Sequence, residues 1–389
     1  DKDAIFYSAE QSNNKLNLEK FSSLVFQFYA ENNLEPFSSW SNALSYIDER
    51  QGNKKLVLVI DEFPYLVKKN RALLSEFQHL IDHKLTSGKM FLILSGSYMG
   101  FMEKEVLGSK SPLFGRRTAQ LHMKPFTYQT SSKFMTGFSD EEKLMLYGAY
   151  GGTPLYLQQI NEKESFEENI KRAYLKVTSY LYEEALLLLR QEVQEPGVYS
   201  AIIEAIASGY TKANEISTKI GEDSAKCLKY IKTLCELGIL HKETPFGEKE
   251  SSRKTIYDIS DFMFRFWYRY VFANRTLIET GAQQVVWEKR IKPDYYSYMG
   301  LVFEKVCMDY LNAKNAKEEL PILYTSIGRW WGTNAATHGQ EEIDLIANDG
   351  KDYLFGECKW RNEKLDISVL KDLKAKADVF SMNRKNSYY

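Results

Sequence analysis

A continuous apolar run that ends in two acidic residues constrains the fold of this chain more than any other feature. The stretch KKLVLVIDEF occupies positions 54–63, and a second apolar run, KMFLILSGS, follows a helix-like segment. Such runs are typical of strands buried on both faces, and strands that alternate with helices predict a parallel sheet. In an open α/β sheet the ligand binds beyond the carboxyl ends of the strands, where Asp61, Glu62 and Ser97 stand.

The acidic pair has the pattern of a magnesium–ATP site. Asp61 matches the Walker B carboxylate that holds Mg2+ on the phosphates, and Glu62 is placed to polarise the attacking water. Ser97 is predicted to contact the γ-phosphate or the water, and Arg116 and Arg117 follow a glycine where an arginine reaches a phosphate, in cis or from another subunit. Each feature alone is also common as plain structure. No segment spells G-x-x-x-x-G-K-[ST], the phosphate-binding loop of such a site.

Four stretches together resemble the prokaryotic (archaeal-type) ATPase family, which is allied to the AAA+ and STAND NTPases: IDEF, LSGS, MEKEVLGSKSPLFGRR and GGTPLYL. The resemblance extends from near the first residue to about residue 260. It implies a P-loop NTPase fold with ATP and Mg2+ as ligands, and it places Gly152 and Pro154 near the adenine. In this family the phosphate loop lies just upstream of a segment like DKDAIFYSAE. We therefore expect the loop in a longer protein and poor ATP binding by residues 1–389, with a degenerate ATPase as the alternative.

Three helices and a hairpin are predicted between residues 197 and 260. The first helix ends at Gly209, Asp223 or Ser224 caps the third, and the turn PFGEKESSRK precedes the strand TIYDIS. This order is that of a winged helix, which usually places its third helix in the major groove of DNA. DNA binding and a plain packing role both stay open, because acidic residues dilute the cations of the third helix and the turn, which are Lys226, Lys229, Lys232, Lys249, Arg253 and Lys254.

The stretch EEIDLIANDGKDYLFGECKW predicts a hairpin with a metal-binding face. With Asp349–Gly350 as a two-residue turn, Glu342 pairs with Glu357 across the hairpin. Because side chains alternate along a strand, Asp344 and Lys359 fall on the same face as these two glutamates. Carboxylates that hold one or two Mg2+ ions, with a lysine that stabilises charge on the phosphate, are what metal-dependent phosphodiester cleavage requires.

This arrangement resembles the PD-(D/E)xK nuclease superfamily, in which D…ExK follows a helix that often supplies a further glutamate. Glu304, in YMGLVFEKV, is the matching residue, and GRWWG at Gly328–Gly332 recurs in C-terminal domains joined to the family ATPases. The resemblance covers roughly the last ninety residues. It implies that Glu304, Asp344 and Glu357 bind Mg2+. It also implies a final strand that closes the sheet, which the chain could lack. An amphipathic hairpin, or a related fold that binds without cleaving, is the alternative.

Composition excludes several classes of protein. The formal net charge of −1, from 51 basic and 52 acidic residues, argues against a generally basic nucleic-acid coat. Four cysteines without a C-x-x-C pair predict reduced thiols in a cytoplasmic protein, and five scattered histidines argue against a zinc cluster. The aromatic segment FMFRFWYRYVF at 262–272 is interrupted by two arginines, so it predicts packing in a core and no membrane span. A start without Met indicates a fragment.

Together these features predict an α/β protein with a P-loop NTPase-type parallel sheet whose N-terminal part is missing. The predicted parts are an ATPase core without its phosphate loop (1–128), a helical lid (129–196), a winged helix (197–260), a helical linker (261–295) and a restriction-endonuclease-like α/β domain (296–389). The predicted function is an ATP-hydrolysing regulatory ATPase coupled to a Mg2+-dependent DNA nuclease. The alternative is a STAND-like switch whose C-terminal domain binds nucleic acid or a protein without cleavage. DNA is the predicted partner, and a trans-acting arginine would imply a homo-oligomer.

Overall fold

The chain forms two compact units, Asp1–Met123 and Lys124–Tyr389. The computed structural model describes residues 3–32, 34–52, 54–83, 85, 89–97, 99–334, 337–380 and 384–389.

A three-stranded parallel sheet forms the centre of the first unit, as the sequence predicts. Its strands, in spatial order, are β1 (Asp3–Ser8), β2 (Leu56–Asp61) and β3 (Met90–Leu94). The helices are α1 (Asn14–Phe28), α2 (Trp40–Gln51), α3 (Phe63–Lys69), α4 (Leu73–His83) and α5 (Met99–Phe101), which a π-helical turn, Met102–Val106, continues. Asn13 and Ser39 begin α1 and α2 by accepting hydrogen bonds from backbone N–H groups of the first turn.

The sheet buries one face more deeply than the other. Leu58 and Ile60 of β2 are fully buried among the side chains of α1 to α4. On the opposite face, Phe6 of β1 and Phe91 of β3 are 60% and 58% exposed. The expectation that the strands are buried on both faces is therefore wrong for the described residues. An apolar run alone does not reveal this difference, because both faces of β2 carry aliphatic side chains.

The second unit begins with short helices. They are α6 (Tyr128–Ser131), a 3-10 turn (Ser132–Phe134), α7 (Asp140–Tyr150), α8 (Pro154–Leu157), α9 (Phe166–Tyr174) and α10 (Tyr180–Glu192). Ser139 and Ser165 start α7 and α9 with capping boxes, in which the serine accepts from the N–H group of a glutamate whose carboxylate accepts from the serine N–H. These helices share one core with the three helices that follow them.

Three helices and a two-stranded antiparallel sheet come next. They are α11 (Pro196–Ala207), α12 (Ala213–Ile220), α13 (Ser224–Glu236), β4 (Leu240–Glu243) and β5 (Ile256–Ile259). Of the two capping residues that the sequence offers for α13, the structure uses Asp223, whose carboxylate accepts from two backbone N–H groups of the first turn. Gly238, with φ of +73°, follows the end of this helix.

The aromatic segment lies in the core, as predicted. It forms α14 (Phe262–Phe266), a π-helical turn (Trp267–Val271) and a 3-10 turn (Phe272–Asn274), and then come α15 (Arg275–Glu279), α16 (Gln283–Val286) and a second π-helical turn (Trp287–Ile291). Phe266, Trp267 and Val271 are fully buried. Among the helices that the structure describes, none is long and apolar enough to cross a membrane.

A four-stranded mixed sheet follows the 24-residue helix α17 (Lys292–Asn315). In spatial order its strands are β6 (Ser326–Thr333), β7 (Gln340–Asn348), β8 (Tyr353–Gly356) and β9 (Ser387–Tyr388). Along the chain, α18 (Ile367–Val379) connects β8 to β9. Strand β7 is antiparallel to both β6 and β8, and β9 is parallel to β8. The apolar stretch LPILYT, at residues 320–325, predicts a further strand before β6, but this prediction is wrong because the segment is irregular. There the side-chain amide of Asn315 forms hydrogen bonds with both the carbonyl and the N–H of Tyr324.

The predicted register of the β7–β8 hairpin is also wrong. Asn348 pairs with Tyr353 and Ile346 with Phe355, so four residues and not two connect the strands. The carboxylate of Asp349 explains this, because it accepts from the N–H groups of residues 351 and 352 and stabilises a wider turn. A shift of two residues leaves each side chain of β8 on its predicted face.

Candidate functional site

The carboxyl edge of the parallel sheet gathers polar side chains around Asp61. Ser95, which follows β3, donates through Oγ to Asp61 Oδ1 at 2.7 Å. Ser8, at the end of β1, donates to Oδ2 at 3.4 Å. All three strands therefore place one oxygen-bearing side chain at this edge, and such oxygen ligands suit Mg2+. The sequence reading singled out Ser97 of the same LSGS stretch and missed Ser95.

Glu62 occupies a backbone conformation that non-glycine residues rarely adopt. Its φ and ψ are +51° and +37°, in the left-handed region, and it directly precedes α3. This conformation costs on the order of 1 kcal/mol and is found preferentially at functional sites. The next residue, Phe63, donates its N–H to the Ser95 carbonyl at 2.9 Å. The strain at Glu62 thus lies at the point where β2, β3 and α3 meet.

The other predicted phosphate-contacting residues are spread over the same unit. Ser97 is exposed, and Arg117 is also exposed. Arg116 forms a two-pronged ion pair with Asp82 of α4, with N···O distances of 2.8 and 2.9 Å, and donates to the Pro112 carbonyl at 2.9 Å. Its side chain fixes the segment after α5 to α4. Contact of either arginine with a phosphate, within the chain or across a homo-oligomer, stays a prediction.

Gly152 and Pro154 belong to the second unit. The Gly152 carbonyl accepts from the Phe126 N–H at 2.8 Å. A Cβ at position 152 would lie 1.9 Å from the Phe126 carbonyl oxygen, so only glycine fits there. Pro154 is exposed and is the first residue of α8. The structure therefore supplies a packing reason for the glycine, and proximity to an adenine stays a prediction.

A second acidic site lies where α17 meets the mixed sheet. Asp344 of β7 is buried, and its Oδ2 accepts from the Cys358 N–H at 2.7 Å. Burial raises the pKa of Asp344. Burial, together with the negative charge of Asp344, raises the pKa of Glu304 on α17 to about 7. The structure thus brings together two of the three predicted metal ligands, and their mutual repulsion is the kind that a divalent cation relieves.

Glu357, the third predicted ligand, is held by two lysines. Its side chain is only 6% exposed, and its Oε1 accepts from Lys359 Nζ at 2.5 Å and from Lys376 Nζ at 3.0 Å. Burial favours the neutral lysine, but the hydrogen bond to Glu357 and the negative charges of Glu357, Asp344 and Glu304 together outweigh burial and raise the pKa of Lys359. Lys376 lies on α18 and was not among the predicted site residues. The sequence offers little signal for it, because it is one of several lysines in the same helix.

The donor chemistry of this site suits magnesium, but the predicted set is not assembled. Glu304, Asp344 and Glu357 offer only carboxylate oxygens, which Mg2+ prefers. Within the described ranges, however, no group of three or more His, Cys, Asp or Glu side chains is arranged to hold a metal ion. Glu304 and Asp344 remain the pair that would hold Mg2+, and Glu357 would join them only after leaving its lysines.

Arg329, the second residue of GRWWG, connects this site to the β4–β5 hairpin. Its guanidinium lies 3.0 Å from Glu243 of β4, 3.3 Å from Glu342 of β7 and 3.6 Å from Glu304. The Arg329 side chain is 17% exposed and stacks over Trp331, with 5.2 Å between the guanidinium carbon and the ring centre. The sequence reading quoted the motif but assigned no role to this arginine, because its partners are distant along the chain.

Comparison with known proteins places the chain in a family. A model of an ATPase domain found predominantly in Archaea matches residues 1–160, and a model described as Archaea bacterial proteins of unknown function matches residues 267–374. The uncharacterised protein MJECL04 of Methanocaldococcus jannaschii is 35% identical over 389 residues, which cover 99% of this chain and 84% of that protein. The chain belongs to the archaeal ATPase family.

Two further similarities extend this finding. MJ0424, another uncharacterised protein of Methanocaldococcus jannaschii, is 42% identical over 52 residues, or 13% of this chain and 50% of that protein. The Walker-type ATPase PABY2304 of Pyrococcus abyssi is similar in structure, with a TM-score of 0.52 and 20% identity over 69% of this chain and 84% of that one. At this identity the similarity concerns the fold alone, and this archaeal ATPase family member accordingly contains an ATPase domain of the P-loop NTPase type.

Proposed function

We propose that the protein is a nucleotide-regulated DNA-processing enzyme, in which an ATPase domain controls a Mg2+-dependent nuclease domain at residues 296–389. The observation that carries this proposal is the arrangement of the second acidic site. Helix α17 supplies Glu304, the adjacent strand β7 supplies Asp344, and Glu357 and Lys359 follow β8 in the same sheet. This is the order of functional groups that the resemblance to PD-(D/E)xK nucleases implies.

The chain's own residues would divide the cleavage reaction between them. Glu304 and Asp344 would hold Mg2+, which supplies an activated water and polarises the phosphodiester. Lys359 is 39% exposed and would place its ammonium group against a phosphate oxygen, while Lys376 takes over the charge of Glu357. Exposed cations in the segment that follows Lys359 suit a polyanionic substrate such as the DNA backbone, and these are Arg361, Lys364, Lys371 and Lys374.

The ATPase part of the proposal concerns the carboxyl edge of the parallel sheet. Asp61 would hold the Mg2+ of ATP, and Ser95 fixes the orientation of its carboxylate. Glu62 would orient the attacking water. Its left-handed backbone supports this assignment, because a strained residue persists only where the surrounding structure enforces it. Residues 1–389 contain no G-x-x-x-x-G-K-[ST] segment, so the loop that cradles the phosphates is not among them.

The helices α11 to α13 with β4 and β5 fit a winged helix, and we propose that it serves mainly as a connector. Three of the six cations that would contact DNA, Lys226, Lys232 and Lys254, form ion pairs with nearby glutamates. Lys226 of α13 forms an ion pair with Glu222, which precedes the helix, with an N···O distance of 3.1 Å. Lys254 of the turn pairs with Glu248 at 2.8 Å. Such pairs reduce the positive potential that phosphate contacts require.

A cleavage assay tests the nuclease proposal. Plasmid, single-stranded and branched DNA are incubated with the protein and Mg2+ or Mn2+. We expect nicking that Asp344→Asn and Glu357→Gln abolish, whereas Glu363→Gln, which changes an exposed carboxylate outside the site, leaves it intact. Circular dichroism and thermal unfolding establish that the inactive variants are folded. Cleavage that survives in both variants would refute the assigned site.

The holding of Glu357 by two lysines favours a second candidate function. A carboxylate already neutralised by Lys359 and Lys376 is a poor metal ligand, and such a domain would bind DNA or a protein without cleaving it. The protein would then act as a STAND-like nucleotide switch. DNA binding that persists while no metal supports cleavage would establish this alternative.

The ATPase proposal is tested separately by nucleotide hydrolysis. The protein is prepared with any sequence that its gene encodes outside residues 1–389. We expect Mg2+-dependent ATP hydrolysis that Glu62→Gln suppresses while ATP binding is retained. Ser97→Ala tests the predicted γ-phosphate contact in the same assay. Absence of ATP binding by this preparation would remove the ATPase from the proposal.

A further inference from the structure

The turn between β4 and β5 is seated on the edge strand of the mixed sheet. The Phe246 N–H donates to the Arg329 carbonyl at 2.8 Å, and the Phe246 ring packs 6.2 Å from the Phe380 ring, centre to centre. A Cβ added at Gly328 would lie 3.4 Å from the same phenylalanine, which is an ordinary van der Waals distance and shows how closely the ring approaches β6. The first residues of the turn are therefore bound to the mixed sheet, whereas its tip, with Lys249, Arg253 and Lys254, is exposed.

A charged contact accompanies this seat. Glu243, at the end of β4, accepts from Arg329 at 3.0 Å, and both side chains are mostly withdrawn from solvent, at 21% and 17% exposed. The same guanidinium then reaches Glu304 and Glu342 on the two neighbouring elements. The β6–β7 register shifts between Gly328 and Trp330, and irregularities of this kind re-aim a side chain. The chain Glu243–Arg329–Glu304 therefore runs from the hairpin to the second acidic site.

Stability alone does not account for this contact. The apolar seat of Phe246 already attaches the turn to the sheet. Replacing a partly buried ion pair by apolar side chains is often neutral or stabilising, so such a pair is weak support for a purely structural role. The ion pairs of Arg329 instead constrain the position of the Glu304 carboxylate relative to the β4–β5 hairpin.

We propose that Arg329 is a positioning residue that couples the β4–β5 hairpin to Glu304, so that the position of the three-helix module sets the geometry of the proposed nuclease site. This inference rests on the proposed function. It assigns the turn at residues 244–248 to the mixed sheet and not to DNA.

Steady-state cleavage kinetics of the full protein test this role. Glu243→Gln keeps the shape of the side chain and removes its charge, and we expect kcat to fall on the order of 10-fold with little change in KM for DNA. The matched control is Glu248→Gln, in the same turn, whose partner is the exposed Lys254. Arg329→Lys should retain more activity than Arg329→Met. An unchanged kcat in Glu243→Gln, or an equal fall of kcat in Glu248→Gln, would overturn the proposal.

Hydrogen exchange separates this inference from the nuclease proposal. If the unaltered protein cleaves no DNA, the proposed function fails, but the coupling is still measurable. Glu243→Gln should then raise the exchange rate several-fold in residues 244–248 and also in the segment of α17 around Glu304. Glu248→Gln should alter neither segment. Exchange around Glu304 that is the same in both variants would refute the coupling.

Discussion

Gly96→Ala is the sharpest test of how the first unit builds its candidate ATP site. A Cβ at position 96 would lie 2.5 Å from Cδ and 2.7 Å from Cγ of Pro64, the second residue of α3, and 3.3 Å from the Met102 sulfur. Ordinary contacts between carbon atoms begin near ~3.5 Å. The proline ring is rigid, so the methyl group can be admitted only if the segment after β3 moves away from α3 by about 1 Å.

The expected cost follows from this displacement. Overpacking in a well-packed region destabilises by ~1–3 kcal/mol. The displaced segment includes Ser95, whose Oγ lies 2.7 Å from Asp61 Oδ1 and whose carbonyl accepts from the Phe63 N–H. Misplacement of a catalytic constellation by 1 Å lowers the rate by on the order of 100-fold. The same substitution should therefore lower both the stability of the unit and its rate of ATP hydrolysis.

The measurement is hydrogen exchange of β2 and β3 peptides during urea unfolding, combined with ATP hydrolysis by the protein with its natural flanking sequence. Gly100→Ala is the matched control, because a Cβ at Gly100 meets no atom within 4 Å. We expect the control to behave like the unaltered protein in both assays. If Gly96→Ala unfolds at the same urea concentration as the control, the close packing of Gly96 on Pro64 is refuted.

Three further predictions concern the second unit. Gly152→Ala should lower the unfolding temperature strongly, because its methyl group would lie 1.9 Å from the Phe126 carbonyl oxygen. The control Gly300→Ala, which has open space around the added methyl group, should not lower it. Equal unfolding temperatures for the two variants would contradict the close contact. Arg265→Met should cost ~3–5 kcal/mol of unfolding free energy in urea titrations, since it leaves Asp258 with no guanidinium partner. Burial alone would raise the pKa of Asp258, but Arg265 holds it below its usual value. Stability from this pair is therefore present above ~pH 4 and is lost as the pH falls through the lowered pKa. In urea titrations, the difference in unfolding free energy between pH 6 and pH 3 should be smaller for Asp258→Asn than for the unaltered protein.

Local signals in the sequence were sufficient for most elements. The parallel strands, the three helices with their hairpin, and the packing of the aromatic segment were all predictable, because periodicity and capping residues act over a few positions. Asp223 is an example, since an aspartate directly before an amphipathic run has a strong tendency to begin a helix. The order of chemical groups in the second acidic site was also readable, because it depends on the order of the strands.

The strand register was decided by contacts that a pattern of apolar and polar residues does not contain. Asp349 directs two hydrogen bonds into the turn and widens it from two to four residues. The segment 320–325 has a strand-like composition, yet the side chain of Asn315 takes the backbone groups of Tyr324. In both cases one polar side chain outcompetes the strand ladder for backbone hydrogen bonds.

The sequence by itself determined which chemical groups this protein carries and on which strands and helices they stand. Only the tertiary structure decided which of them meet. Ser95 and not Ser97 bonds to Asp61, Glu357 is held by Lys359 and Lys376, and Arg329 joins a hairpin to a helix about sixty residues away from it in sequence. Apart from the Glu357–Lys359 pair, these contacts join residues distant along the chain, so their distances are set by packing between elements, which no local pattern of residues specifies.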